Sequence, residues 1–82
     1  MKTTTTEERE MQVIGFHPVS DTELVQIVLA ESGDYQVRFM VNGAQVGNVR
    51  SAYGRGLVGR NNAQVAAHSW AKGMRYDREH VR

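Results

Sequence analysis

Apolar residues recur with period two in the runs 23–31 and 35–41, and the pattern switches to a helical period after the glycine-rich segment 54–59. The stretch "MQVIGF" (11–16) is a short strand candidate ended by His17 and Pro18. In "ELVQIVLAE" (23–31), Val25, Ile27 and Leu29 fall on one face. In "YQVRFMV" (35–41), Tyr35, Val37, Phe39 and Val41 do the same. Ser32-Gly33-Asp34 is a turn signal between these two runs, which makes them a hairpin. Asn42-Gly43 is a stronger one, because both central residues of a type I′ turn need φ > 0. It leads into the more polar run "AQVGNVRSAY" (44–53), an exposed strand. The pattern predicts an antiparallel meander.

Two positions leave a choice. Ser20-Asp21-Thr22-Glu23 also spells a helix capping box, and Leu24, Ile27 and Val28 could form a helix ending at Gly33. The β-branched run "VQIVL", bounded by turn formers, favours a strand. At the other end of the chain, Asn61 or Asn62 can cap a helix. Ala63, Ala66, Ala67, Trp70, Ala71 and Met74 then recur on a single face, and Gly73 offers a stop. Small alanines would let this helix lie close to the sheet, with Trp70 supplying most of its buried area. The expected fold is α+β: a three- or four-stranded antiparallel meander sheet with one C-terminal helix packed on one face. Residues 1–10 are expected to be a disordered N-terminal segment, 11–74 a single domain, and 75–82 a charged C-terminal tail.

At 82 residues, the chain would bury about 60–65% of its unfolded surface, a modest core that self-association, including a homodimer, could supplement. There are no cysteines, which removes disulfides, thiolate nucleophiles and Cys-based zinc sites. The start "MKTTTTEEREM" has no apolar run resembling a signal peptide, and nothing approaches transmembrane length, so a soluble cytoplasmic protein without membrane contact is expected.

The net charge of +1 conceals an asymmetry. Residues 1–37 carry two basic against seven acidic side chains, a balance of −5, while 38–82 carry eight basic against two acidic, a balance of +6. Seven of those eight are arginines, whose planar fork suits phosphate and carboxylate.

Gly54-Arg55-Gly56-Leu57-Val58-Gly59 matches the dinucleotide fingerprint G-x-G-x-x-G. That motif works between a buried strand and a helix, with a second parallel strand and an acid roughly 20 residues on. Here the preceding "NVRSAY" lacks a continuous apolar run, and too little chain follows for a crossover and another strand. We therefore read the segment as an exposed, arginine-bearing loop and expect no cofactor.

A catalytic or metal constellation is equally hard to assemble. His68 and Ser69 are neighbours on a helix and point apart. His17 precedes a proline, and Asp77, Glu79 and His80 lie together in the tail without helical metal-ligand spacing. No catalytic, cofactor-binding or metal residue is assigned, and the chain is read as a non-enzymatic protein.

Two binding classes remain. Arg50, Arg55 and Arg60, spaced by five along a glycine-rich segment, could follow a phosphate backbone with Tyr53 available to stack, which would make the basic half a nucleic-acid surface. The hairpin and alanine-rich helix resemble the later part of a double-stranded RNA-binding domain, but "RNNAQ" stands where that family has a lysine-rich helix entry. The other class is a protein-binding module. The segments "VNGAQVG" (41–47) and "GRGLVGRNNA" (54–63) resemble the hairpin and glycine-to-helix junction of small phage-encoded anti-CRISPR proteins acting on type I surveillance complexes. That family has an additional helix where this chain has only "NVRSAY". The resemblance implies a small inhibitor of a host defence complex, with a host protein or ribonucleoprotein as partner, and it transfers no binding residues. A protein-interaction module is the preferred reading and nucleic-acid binding the alternative, with Arg38, Arg50, Tyr53, Arg55 and Arg60 as candidate contacts.

Overall fold

The computed structural model describes residues 11–80. Four strands, β1 (Met11–Pro18), β2 (Glu23–Ala30), β3 (Tyr35–Val41) and β4 (Ala44–Arg50), are followed by one helix, α1 (Gly56–His80). The strands form one sheet in the order β1-β2-β3-β4, every pair antiparallel. This is the α+β meander that the alternation predicts. The expectation for residues 1–10 lies outside the described residues.

The segment open to two readings is strand β2. Its would-be capping box is used differently: Ser20 Oγ donates to Glu23 Oε1 at 2.8 Å, and the Val19 and Ser20 amides both donate to the Glu23 carbonyl. The same polar residues thus close a tight turn into a strand, because the β2 edge residues find partners on β1 and β3 that a helix could not offer. Asn42 (φ 52°) and Gly43 (φ 82°) take the paired positive φ that the Asn-Gly turn requires.

α1 lies across β2 and β3, with β1 alongside. Its buried residues, Gly59, Ala63, Ala67 and Ala71, recur every four positions, so the helix presents a ridge of the smallest side chains and its backbone approaches the sheet closely. Beneath them sit Val25, Ile27 and Val37, all 2% exposed or less, with Val19 from the β1–β2 turn closing the end. Each such branched side chain contributes about 1.5–3 kcal/mol by its removal from water. Ile14, Tyr35, Phe39, Tyr53, Trp70 and Met74 pack around this cluster, half-buried. Trp70 is therefore a rim residue and the alanine ridge is the centre. Val28, fully buried, belongs by alternation to the opposite face, in register between Val13 and Gln36.

Both ends of the helix differ from the sequence expectation. It begins at Gly56, so Asn61 and Asn62 are interior and cap nothing, and Asn62 Nδ2 instead donates to the Tyr53 carbonyl at 3.1 Å. The start is set by a tertiary contact. A Cβ on Gly59 would stand 2.2 Å from the Gly54 carbonyl oxygen, so the first turn can seat against Gly54 only because residue 59 is glycine. Nor does Gly73 stop the helix, which runs on to His80 through the segment read as a tail. Contacts beyond Gly73 hold it: Met74 packs on the core, Arg75 Nη1 donates to the Pro18 carbonyl at 2.8 Å, and Arg78 grips Glu23. β1 likewise extends through His17 and Pro18, and β4 ends at Arg50 rather than Tyr53.

Candidate functional site

The expected glycine loop is a junction whose three motif glycines each have a local task. Gly54 and Gly56 have φ of 100° and 67°, values that an L side chain disfavours, and Gly59 provides the close approach described above. The Gly54 carbonyl accepts from the Tyr35 amide at 3.2 Å, which fastens the junction to the β2–β3 hairpin. The sheet is wholly antiparallel and, among the described residues, no strand follows α1, so the βαβ context of a dinucleotide site is absent.

The five candidate contacts do not form one surface. Arg38, partnered in register with Gln26, lies on the helix-free face, where its Nε donates to Gln26 Oε1 at 2.7 Å. Arg50, in register with core residue Val37, lies on the helix side, its guanidinium 3.6 Å from the centroid of the Trp70 ring. Tyr53 is half-buried against the core. Arg55 folds back over Gly33, donating to the Ser32 carbonyl and pairing with Asp34 at 3.8 Å. Arg60 alone of the five points out from the helix with no such contact to the described residues.

Two further arginines, Arg75 and Arg78, are similarly engaged. Arg78 makes a bidentate pair with Glu23, Nε to Oε1 at 3.0 Å and Nη2 to Oε2 at 2.6 Å. This bond, helped by the Ser20 hydroxyl, holds the Glu23 carboxyl down at about 2 against an ordinary 4.5, and the carboxylate in turn raises the pKa of Arg78. Among the described residues, Lys72 joins Arg60 in making no polar or ring contact, so the basic half of the chain is largely spent on internal contacts.

What the fold does expose is a pair of large apolar side chains. Leu57 is 83% and Val58 72% exposed, in the first turn of α1. Leu57 lines a shallow open depression with Arg60, Asn61 and Gln64. Val65 and Tyr76, each 60% exposed, continue the outward side of the same helix, and Tyr76 is stacked on His80 with ring centroids 3.9 Å apart. Sequence reasoning passed over Leu57 and Val58 because it placed them in a loop. Once the helix starts at Gly56, its period puts them away from the alanine ridge, where no part of the described chain covers them.

Among the described residues, no group of three or more His, Asp or Glu side chains converges, and no helix is long and apolar enough to cross a membrane. Comparison with known proteins gives no match to a family model, to a curated protein or to a solved structure.

Proposed function

We propose that the protein is a small non-enzymatic interaction module that binds another protein through the outward side of the first turns of α1. One observation carries this reading: Leu57 and Val58, adjacent and more than 70% exposed, stand beside Arg60 on a rigid helical platform. Exposing two such side chains together costs hydration free energy that a partner's apolar surface would recover. Arg60 adds a charge able to pair with a carboxylate at the rim of such a contact. The platform itself is held by the Gly54–Gly59 contact, so little ordering entropy would be lost on binding. The likeness of segments 41–47 and 54–63 to anti-CRISPR proteins makes a host defence ribonucleoprotein the first partner to try, and an inhibitory outcome the first effect to measure.

The test compares the parent with the double variant Leu57→Asp, Val58→Asp in capture from host extract after nuclease treatment. Both side chains are exposed, so stability should stay within about 0.5 kcal/mol of the parent. Retention of the partner should fall at least about tenfold, the equivalent of 1.4 kcal/mol. Equal capture by parent and variant would remove this surface from consideration. A DNA or RNA titration across a salt series separates the alternative: tight binding with a steep salt slope that flattens in Arg60→Ala and Lys72→Ala would make the chain a nucleic-acid binder.

A further inference from the structure

The seam between edge strand β1 and helix α1 holds a pair of histidines that neither the core nor the proposed interaction surface uses. His17, near the end of β1 and in register with core residue Val25, faces the helix. His68 comes from the middle of α1 and is exposed. Their ring centroids are 5.7 Å apart with planes at 70°, and neither ring is engaged in a hydrogen bond or ion pair with the described residues. No described residue therefore takes up their lone pairs.

We propose that His17 and His68 form a two-imidazole binding site for a divalent transition-metal ion of the zinc type, water completing its coordination. The spacing is what such a site needs. A Zn–N bond of about 2.0–2.1 Å places each imidazole centroid roughly 3.2 Å from the metal, so a tetrahedral angle separates two centroids by about 5.2 Å. The observed 5.7 Å is reached from that value by small side-chain rotations, and exposed His68 is free to make them. Imidazole selects zinc, copper or nickel over magnesium and calcium, which prefer oxygen ligands.

The electrostatic surroundings bound the affinity. Lys72 lies one helical turn beyond His68, and Arg75 sits close by with its guanidinium on the Pro18 carbonyl, next to His17. Both oppose a dication, so the site should bind its metal in the weak, exchangeable regime rather than as a structural zinc with four protein ligands. Two ligands drawn from elements 51 positions apart in sequence would nonetheless clamp β1 to α1, in parallel with the Arg75 contact.

The test uses metal-free protein without a histidine tag, titrated with Zn²⁺ while the melting temperature is followed, with Mg²⁺ as control. A metal bound only by the folded chain raises the melting temperature saturably, by about 10–20 °C at a hundredfold excess over Kd for a domain this small. His17→Gln and His68→Gln should each abolish the rise, whereas His80→Gln should leave it unchanged. In NMR spectra the ring resonances of His17 and His68 should shift together on titration. No rise in the parent, a rise that survives either substitution, or ring shifts confined to His80 would each overturn the site and leave only an edge-to-face ring contact.

Discussion

Gly59→Ala and Gly73→Ala add the same methyl group to the same helix, and the structure assigns them opposite effects. In open helix, alanine is better than glycine by about 0.8–1.0 kcal/mol because less backbone entropy is lost on folding. At Gly73 a Cβ meets nothing within 4 Å, so that gain should be realised in full and raise the melting temperature by about 4–8 °C. At Gly59 a Cβ would lie 2.2 Å from the Gly54 oxygen and 2.3 Å from its carbonyl carbon, so one backbone must retreat by more than about 1 Å to reach ordinary contact. Overpacking of this severity costs about 3 kcal/mol. The retreat also breaks the Tyr35 amide bond to the Gly54 carbonyl, for about 1 kcal/mol more. The propensity gain offsets about 1 kcal/mol, which leaves a net loss of about 3 kcal/mol. Urea denaturation followed by far-UV circular dichroism measures both, with the m-value as the check that only the native state has changed. If Gly59→Ala melts at or above the parent, the first turn of α1 does not rest on Gly54 and the account of the junction is wrong. A Gly73→Ala protein less stable than the parent would show that helix packing extends where we find open space.

Three further outcomes follow from particular contacts. Trp70→Ala should cost about 2 kcal/mol in the same denaturation assay, less than the 3–5 expected for a central tryptophan, because the ring is half-buried between Phe39 and the Arg50 guanidinium; a loss above about 4 kcal/mol would restore it to the centre of the core. Glu23→Gln should lower the melting temperature at neutral pH. Because the folded carboxyl titrates at about 2 and the ordinary value is 4.5, that contribution is present above about pH 4.5 and disappears as pH falls towards 2, so the melting temperatures of parent and variant should converge over this window; a gap unchanged at pH 2 would refute the pairing. Millimolar NAD or ATP should leave the melting temperature where it is, since the motif glycines are accounted for by backbone conformation and close packing, and a saturable rise would contradict that assignment.

The sequence alone determined those features whose cause is local. Alternation of apolar residues over 35–41 specifies a strand and the face it buries, and if 23–31 is a strand the same alternation fixes its face, since a one-residue slip would turn Val25, Ile27 and Val37 to the wrong side. Asn42-Gly43 specifies its turn through backbone sterics, and the alanine spacing at 63, 67 and 71 specifies which side of the helix meets the sheet. The tertiary structure decided whatever depends on partners distant in the chain. Ser20 and Glu23 suit a helix cap or a turn equally well, and the choice follows from strand pairing and from Arg78, which lies 55 positions away. The limits of α1 depend on Gly54 at one end and on Pro18 and Glu23 at the other, so neither the asparagines nor Gly73 could mark them. The same dependence governs the candidate site. Arginines that look available in a linear string become occupied once Trp70, Asp34, Pro18 and Glu23 are brought to them. Leu57 and Val58, by contrast, become conspicuous only when the helix that carries them is seen to begin at Gly56 and to turn them outward.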